Sequence, residues 1–226
     1  MKLVIIIPAF NESTIIFKVL NSLPKKLEGV KSIKVLVVND GSSDNTAQEA
    51  QRAKSHVINH LLNRGVGAAT KTGIEFAKKQ NADIVVTFDA DGQHNPNDIQ
   101  KIIDPIVKKR ADLIIGSRFK KKQKIPLDRF LLNWFANFIT LLLFGVASTD
   151  SQSGLRAFSK KAIKLINFKG ERMDFSSEIL LEAKRNKLKR VEVPIKAIYT
   201  PYSRKKGQKN INAFSIFIRF LVKFLG

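Results

Sequence analysis

Short apolar runs alternate with helical patterns through the first half of this chain, and this alternation constrains the fold more than any other feature. The runs cover residues 3–7, 33–38, 84–88 and 113–115, and segments with apolar residues at helical spacing separate them. Strands that alternate with helices pair in parallel and need helices over both faces of the sheet. We therefore predict an α/β fold, and a length of 226 residues suits a single domain.

Local patterns predict where some elements begin and end. Asn11 or Ser13 can cap the first helix, because short polar side chains accept hydrogen bonds from free backbone N–H groups. Asn95 and Pro96 are predicted to open another helix, with proline in the first turn. Late in the chain, two short strands are predicted to flank Pro194.

Polar clusters follow three of the predicted strands, at residues 11–12, 39–41 and 89–91. In an open parallel sheet, ligands bind beyond the carboxyl ends of the strands. We therefore expect these clusters to converge on one site.

Asp89 and Asp91 stand two residues apart directly after a predicted strand. Both carboxylates can reach one cation if the chain turns there, and hard divalent ions bind through one or two carboxylates and substrate phosphates. The sequence has no cysteine, so a metal would sit on oxygen or histidine ligands. An ordinary acidic turn is the alternative, because Asp and Gly are common turn residues.

A glycine-rich segment at residues 65–72 comes close to two phosphate-binding motifs. Both motifs need glycine where this chain has Thr70, and a β-branched residue resists the backbone conformations of a phosphate cradle. We interpret the segment as a glycine turn that enters a helix lining the predicted site, with Lys71 as a solvated charge.

Seven motifs are spread over nearly the whole chain. They are PAFNE at residues 8–12, VNDGSSD at 38–44, NRGVG at 63–67, DADGQH at 89–94, GSRF at 116–119, Asp150 with SGLRAF at 153–158, and RKKGQK at 204–209. In this order they resemble glycosyltransferase family 2, and within it the polyprenyl-phosphate sugar synthases, the group of dolichyl-phosphate mannose synthase. The basic loop departs from the family pattern, which weakens the implied phosphate contacts there.

The resemblance implies a GT-A fold, a Rossmann-like and mostly parallel sheet flanked by helices. It implies that the donor is bound by Pro8, Phe10, Glu12, Asp40, Asp89, Ala90, Asp91 and Arg118. It also implies that Asp89, Asp91 and Gln93 hold Mg²⁺ or Mn²⁺ against the donor diphosphate, with Asp91 as a catalytic residue. Alternatives stay open, because Pro8 and Phe10 also suit strand termination and core packing, and Glu12 suits a helix start.

The acceptor that the resemblance implies is a polyprenyl phosphate, such as dolichyl or undecaprenyl phosphate. A phosphate monoester is largely dianionic at neutral pH, so it needs no strong general base. By resemblance, Arg118, Arg129 and Arg204 contact donor or acceptor phosphates, a role that suits the planar guanidinium group. Asp150 would orient the acceptor, or act as base if the acceptor were a sugar hydroxyl. Asp150 and Arg204 join Asp91 in the implied catalytic set.

Two apolar segments, residues 130–147 and 212–226, are predicted to be amphipathic helices that lie in a membrane interface. The first is long enough to span a bilayer, but Asn133, Asn137 and Thr140 form a polar stripe along it. A buried core helix is the alternative for this segment. Basic clusters before both segments favour an anionic lipid surface.

The amino terminus has too few apolar residues in a row for a signal peptide. We therefore expect a peripheral protein on the cytoplasmic side of a membrane, attached by itself or through a membrane-anchoring partner protein. The expected activity is metal-dependent, inverting transfer of a hexose from a nucleotide sugar, of the GDP-mannose or UDP-glucose type, to polyprenyl phosphate. A family 2 enzyme acting on a saccharide or another lipid is the alternative.

The net charge of +21 also fits a nucleic-acid-binding protein. Most phenylalanines lie in apolar helical runs, however, and the Asp89–Asp91 pair would repel a nucleic-acid backbone. No nucleic-acid partner is therefore expected.

Overall fold

A computed structural model describes residues 1–172, 174–199 and 202. The strands are β1 (Lys2–Ala9), β2 (Ser32–Asn39), β3 (His56–Asn59), β4 (Ile84–Thr87), β5 (Leu113–Ser117), β6 (Arg156–Ser159) and β7 (Arg190–Pro194). The helices are α1 (Ile16–Ser22), α2 (Thr46–Arg52), α3 (Val66–Lys79), α4 (Asp98–Val107), α5 (Leu127–Phe144), α6 (Lys160–Leu165) and α7 (Phe175–Arg185).

The described strands form one sheet in the order β3-β2-β1-β4-β6-β5-β7. β6 runs antiparallel to its neighbours β4 and β5, and the other paired strands are parallel. The chain forms β2 and β3 on one side of β1 and then returns to form β4 on the other side. This reversal opens a crevice beyond the carboxyl ends of β1 and β4, where open α/β sheets bind ligands.

Apolar side chains cover both faces of the sheet. In β1, Val4 and Ile6 belong to the core under α3, α6 and α7, whereas Leu3, Ile5 and Ile7 belong to the core under α1 and α4. Successive strand residues point to opposite faces, so a strand buried on both sides is apolar at every position. This explains why the first strand is a continuous apolar run.

The predicted α/β fold is confirmed, and the four predicted runs overlap β1, β2, β4 and β5. Two features of the sheet were not predicted: the short edge strand β3, and the antiparallel direction of β6. β3 has four residues and an exposed residue at each end, so it carries little apolar periodicity. The direction of β6 depends on the path of the chain between α5 and β6, which no local pattern records.

The predicted starts of two helices were wrong. α1 begins at Ile16, and the Asn11 Oδ1 atom accepts a hydrogen bond from the Ser43 N–H (2.9 Å) instead of capping the helix. α4 begins at Asp98, so Pro96 lies in the turn before the helix. In the first case the polar side chain orders the neighbouring loop after β2.

The predicted second strand after Pro194 is also wrong for the described residues. β7 ends at Pro194, and Ala197 then makes an isolated antiparallel bridge with His94. The Ile198 N–H donates to the Gln93 carbonyl oxygen (2.9 Å). These contacts hold the end of the described chain against the loop that follows β4.

Most apolar side chains of α5 face outward, unlike those of the core helices. The buried residues of α5 are Asn133, Ile139, Thr140 and Phe144. The exposed large apolar residues are Leu127, Phe130, Leu131, Trp134, Phe135, Phe138, Leu141 and Leu142. Within the described residues, α5 is the helix whose length and composition would suit a membrane span.

The bounds of α5 differ from the predicted segment at residues 130–147. The helix begins three residues earlier and ends at Phe144, because Gly145 adopts a left-handed conformation with φ of 59°. A buried core helix does not describe this segment, since its apolar face is exposed. The second predicted interfacial helix, residues 212–226, lies outside the described residues, and membrane binding by both segments stays a prediction.

Close packing of α3 on β1 depends on Gly73. A Cβ atom at residue 73 would collide with the side chain of Ile6, which is fully buried. Alanine favours a helix over glycine by about 1 kcal/mol at an unhindered position. Helix propensity at this position is therefore sacrificed for a short distance between helix and sheet.

We predict that Gly73→Ala lowers the free energy of unfolding by about 1–3 kcal/mol, because the added methyl group overpacks the contact between α3 and β1. Urea unfolding measures this change. Lys79→Ala, at an exposed position of the same helix, is the control and should change the free energy by less than about 0.5 kcal/mol. A Gly73→Ala variant as stable as the wild type would contradict this account of the packing.

Candidate active site

The loops that follow β1 and β2 are joined by hydrogen bonds at the carboxyl edge of the sheet. The Asn11 N–H donates to Ser42 Oγ (2.9 Å), and the Glu12 N–H donates to Thr46 Oγ1 (2.8 Å). β1 and β2 end level with each other, because Ala9 pairs with the last residue of β2. The polar clusters after these strands therefore border the same crevice.

Asp89 and Asp91 follow β4 at the centre of this crevice. His94 Nε2 lies 2.8 Å from Asp89 Oδ2, and the Gln93 side-chain amide donates to Asp91 Oδ2 (2.7 Å). Gly154 lies against Asp89, so that any side chain at residue 154 would collide with the carboxylate. The Asp89 side chain keeps 38% of its surface exposed, so a ligand in the crevice can reach it.

The two carboxylates differ in their electrostatic environments. Burial and the neighbouring Asp89 carboxylate raise the pKa of Asp91 to about 6, and the charge of Glu12 adds to this effect. Burial would also raise the pKa of Asp89, but His94 and Arg118 lower it below its ordinary value. Of these two carboxylates, Asp91 is therefore the one whose negative charge the protein compensates less.

Asp89, Asp91 and Gln93 suit a divalent cation better than an ordinary acidic turn. Burial and the Asp89 charge together disfavour the ionised form of Asp91, and a bound cation would favour it. Across residues 1–172, 174–199 and 202, no three acidic or histidine side chains form a closed metal site. This ligand set matches Mg²⁺, which takes one or two carboxylates and completes its shell with water and substrate phosphates.

Both carboxylate oxygens of Asp40 form hydrogen bonds with other groups of the protein. Asp40 Oδ1 lies 2.7 Å from His60 Nδ1 and accepts a hydrogen bond from the Arg64 N–H (3.1 Å). Asp40 Oδ2 accepts from the Gly65 N–H (2.7 Å), and His60 Nε2 lies 2.9 Å from Thr72 Oγ1 in α3. Asp40 thus orders the loop that leads into α3, and its direct contact with a donor stays a prediction.

The remaining predicted donor residues occupy different environments. Pro8 lies inside β1, one residue before the strand ends. Phe10 is 44% exposed, so core packing does not explain its position. Glu12 is buried, and its Oε2 atom accepts a hydrogen bond from the Tyr202 hydroxyl (2.6 Å). Ala90 is buried between the two aspartates. Contacts of these residues with a donor stay predictions.

Gly65 and Gly67 serve close packing at the start of α3. A Cβ atom at residue 65 would lie 2.5 Å from the Glu171 carbonyl oxygen, and one at residue 67 would collide with the Gly170 carbonyl oxygen. The Ala68 N–H donates to the Glu171 carbonyl oxygen (3.1 Å). A protein loop therefore occupies the place that a phosphate takes in a P-loop, which rules against the phosphate-cradle reading of this segment.

Arg118 and Asp150 form a buried ion pair at the other end of the crevice. Asp150 is fully buried, and its Oδ2 atom accepts from the Arg118 N–H (3.0 Å) and Nε (2.8 Å). Arg118 Nη2 donates to Asp150 Oδ1 (2.7 Å). Burial alone would lower the pKa of Arg118, but the Asp150 carboxylate raises it above its ordinary value. Asp150 therefore fixes the Arg118 guanidinium in one orientation.

Arg156 supports the loop that carries Asp150. Its guanidinium is almost completely buried and donates to the carbonyl oxygens of Ser153 (2.9 Å), Ser176 (2.9 Å) and Ser151 (2.6 Å). Burial lowers the pKa of Arg156 to about 10. The Arg156 guanidinium thus binds backbone carbonyl groups of the protein and holds the loop around Asp150 in place.

The structure describes only one of the other two arginines that were predicted to bind phosphates. Arg129 lies in the first turn of α5, with Nε 3.7 Å from Asp128 Oδ2. Arg204 and the rest of the basic loop lie outside the described residues. Tyr199 is close enough to Arg118 and Asp150 for their charges to act on its hydroxyl, whose pKa is raised chiefly by burial.

The sequence profile described as "Glycosyl transferase family 2" matches residues 4–166, well over half of the chain. The chain belongs to glycosyl transferase family 2. It is 41% identical, over 98% of its own length and 96% of the relative's, to the UDP-N-acetylglucosamine–dolichyl-phosphate N-acetylglucosaminyltransferase of Methanococcus voltae. It is 30% identical, over 84% of its length and 75% of the relative's, to the polyprenol monophosphomannose synthase of Mycolicibacterium smegmatis.

A solved structure supports the GT-A fold of this glycosyltransferase. The crystal structure of glucosyl-3-phosphoglycerate synthase from Mycobacterium tuberculosis, in complex with Mn²⁺, UDP-glucose and phosphoglyceric acid, matches with a TM-score of 0.66. The match covers 90% of this chain and 74% of the other, at 18% sequence identity. At that identity the likeness concerns the fold alone.

Several side chains in the crevice of this glycosyltransferase were missed or set aside by the sequence analysis. His60 and Tyr202 contact Asp40 and Glu12, and His94 contacts Asp89. His94 directly follows Gln93 in the DADGQH motif, so its position in that motif was the available signal. Nothing local marks His60 or Tyr202, because their partners are distant in sequence.

We predict that the metal-free wild type loses stability relative to Asp91→Asn as the pH rises from 5 to 7.5. Because the folded-state pKa of Asp91 lies above its ordinary value of 3.8, the protonated carboxyl favours folding and the ionised one opposes it. Asparagine carries no charge at either pH. Urea unfolding in EDTA should show the difference between the two proteins changing by about 1 kcal/mol. Identical pH dependence of the two proteins would contradict the raised pKa of Asp91.

Proposed function

We propose that this glycosyltransferase transfers a hexose, with inversion, from a nucleotide sugar to a polyprenyl phosphate at a membrane surface. The observation that carries the proposal is that Arg118 connects three features. Its charge acts on Asp89, it is paired with Asp150, and it contacts the inner face of α5, whose outer face is apolar and exposed. The relatives named for transfer to dolichyl phosphate and for polyprenol monophosphomannose synthesis support the same acceptor.

On this proposal, Asp89, Asp91 and Gln93 hold Mg²⁺ or Mn²⁺, which supplies charge stabilisation to the donor diphosphate. The Mn²⁺ in the related crystal structure supports a divalent metal. Phe10 and Glu12, with the loop that Asp40 orders, would border the nucleoside. The relatives differ in donor sugar, so the proposal covers donors of the GDP-mannose and UDP-glucose types without choosing between them.

The acceptor phosphate acts as the nucleophile. One of its oxygens forms a bond to the anomeric carbon while the bond from that carbon to the nucleoside diphosphate oxygen breaks, which inverts the configuration. A dianionic phosphate has no proton to lose, so no base is required. Arg118, Arg129 and Arg204 are proposed to bind the phosphates.

The geometry of Asp150 supports this assignment over a saccharide acceptor. A base for a sugar hydroxyl needs an available carboxylate oxygen within hydrogen-bond reach. Both oxygens of Asp150 already accept hydrogen bonds from Arg118. Asp150 is therefore proposed to orient the arginine that binds phosphate.

The exposed face of α5 supports attachment to the membrane. Its large apolar side chains would enter the lipid interface, while the lysines before it would face anionic headgroups. The net charge of +21 favours the same surface. We propose peripheral attachment on the cytoplasmic side, with or without a separate anchoring protein.

We predict that radiolabelled sugar moves from a nucleotide-sugar donor to polyprenyl phosphate but not to the dephosphorylated alcohol. Lipid extraction separates the products. Asp91→Asn and excess EDTA should each lower the rate at least ~100-fold, because a metal ligand contributes several kcal/mol of charge stabilisation. Arg204→Ala should slow transfer strongly, whereas Asp104→Asn on α4 should not.

Two results would contradict the proposal in different ways. Equal transfer to the alcohol, or transfer only to a saccharide, would overturn the acceptor while leaving the donor site intact. Full activity in excess chelator would overturn the proposed metal dependence.

We predict that Leu142→Asp reduces binding to anionic vesicles at least ~5-fold, because it places a charge on the apolar face of α5. Co-sedimentation with phosphatidylglycerol-containing vesicles measures binding, and high salt should release part of the wild type. Leu165→Asp, at an exposed leucine of α6, is the matched control and should bind like the wild type. Equal loss in both variants would count against α5 as the membrane surface.

A further inference from the structure

We infer that Asn133 and Asn137 are positioning residues through which α5 sets the Arg118–Asp150 ion pair. The inference rests on the proposed function, because it concerns the acceptor end of the same crevice. It assigns to one helix two connected roles, contact with the membrane on its outer face and alignment of phosphate-binding groups on its inner face.

Asn133 holds the arginine of the pair. Arg118 Nη2 donates to Asn133 Oδ1 (3.1 Å), and the same guanidinium nitrogen donates to Asp150 Oδ1 (2.7 Å). The Asn133 amide is itself oriented, because its Nδ2 atom donates to the Arg129 carbonyl oxygen one helical turn earlier (2.8 Å). Asn133 is buried, so water competes little for these hydrogen bonds.

Asn137 holds the carboxylate of the pair by fixing the backbone on both sides of it. Its Nδ2 atom donates to the Thr149 carbonyl oxygen (2.9 Å), and its Oδ1 atom accepts from the Ser151 N–H (2.8 Å). The Asn137 side-chain amide therefore forms hydrogen bonds with the peptide groups directly before and after Asp150. The two asparagines lie one helical turn apart, so they share one face of α5.

The other end of α5 is attached to the protein independently. Thr140 Oγ1 lies 2.9 Å from Ser177 Oγ in α7, and Lys184 Nζ donates to the Phe144 (3.3 Å) and Gly145 (3.0 Å) carbonyl oxygens at the end of the helix. These contacts involve neither Arg118 nor Asp150. The contacts between α5 and α7 therefore remain when either asparagine is replaced.

We assign Arg118 to the acceptor phosphate rather than to the donor diphosphate, the other contact that the family resemblance implies for it. The donor side is ordered by loops after β1, β2 and β4, in which Asp40, His60 and His94 make the contacts. The acceptor side is ordered by α5. A change at Asn133 or Asn137 should therefore alter the acceptor KM and leave donor affinity unchanged.

The test compares Asn133→Leu and Asn137→Leu with Thr140→Val in the full-length protein on vesicles. Leucine and valine match the shapes of the residues they replace and remove only the hydrogen bonds. We expect the acceptor KM to rise at least tenfold in both asparagine variants, with the donor Kd within twofold of the wild type. Thr140→Val lies on the same polar stripe and should leave both constants within twofold, although it lowers the melting temperature.

A rescue variant distinguishes positioning from simple loss of folding. Asn133→Gln keeps both the oxygen that accepts from Arg118 and an NH₂ group that can donate to a backbone carbonyl, so it should recover part of the acceptor affinity that Asn133→Leu loses. The inference is overturned if Thr140→Val raises the acceptor KM as much as the asparagine variants do. It is also overturned if the donor Kd rises as much as the acceptor KM in the asparagine variants, or if both variants keep the wild-type constants.

The same experiment separates this inference from the proposed function. If the wild type transfers sugar only to a different acceptor, the proposed function fails, and the KM comparison is made with that acceptor. If the wild type uses polyprenyl phosphate but the asparagine variants behave like Thr140→Val, only the positioning role fails.

Discussion

The cost of ionising Asp91, which burial and the neighbouring Asp89 carboxylate both raise, is the constraint around which the crevice is arranged. The carboxylates of Asp89 and Asp91 follow a fully buried strand, and they are close enough for the charge of Asp89 to raise the pKa of Asp91. The fold compensates one of them, because Gly154 leaves room for Asp89 and positively charged groups lower its pKa. The other keeps a raised pKa of about 6. A site that is incompletely neutralised by its own protein is suited to a cationic ligand, and this links the fold of β4 to the proposed metal chemistry.

The opposite electrostatic solution is found at the other end of the crevice. Arg118 and Asp150 satisfy each other's charges, and the pair is held by backbone and side-chain contacts from α5 and the loop before β6. Burying a paired charge demands that the surrounding hydrogen bonds be complete. The Asn133 Oδ1 atom meets part of that demand by accepting from Arg118 Nη2, and the Arg118 N–H meets another part by donating to Asp150 Oδ2. Asp91 therefore keeps a charge that the protein does not fully neutralise, whereas the Arg118 guanidinium is paired and already oriented.

The sequence predicted the parts of this protein that local patterns record. Apolar runs located β1, β2, β4 and β5, and motifs singled out Asp89, Asp91, Arg118 and Asp150 as candidates. Pairings between distant segments were not predictable. Arg118 and Asp150 are 32 residues apart, and Tyr202 reaches Glu12 across 190 residues. A single sequence specifies which side chains are present at such places, but the packing of the whole chain decides which of them meet.

The place of β6 in the sheet has a consequence for how the protein is made. Ribosomes deliver the chain from its amino terminus, so β4 and β5 emerge well before the strand that lies between them. A nascent chain that stops short of Arg156 leaves the backbone groups of both strands unpaired along that gap, and unpaired strand edges invite association with other chains. The crevice therefore cannot be completed before β6 has been synthesised. Its assembly requires the insertion of one late, central strand, and then the contacts that Ala197, Ile198 and Tyr202 make with the loops around it.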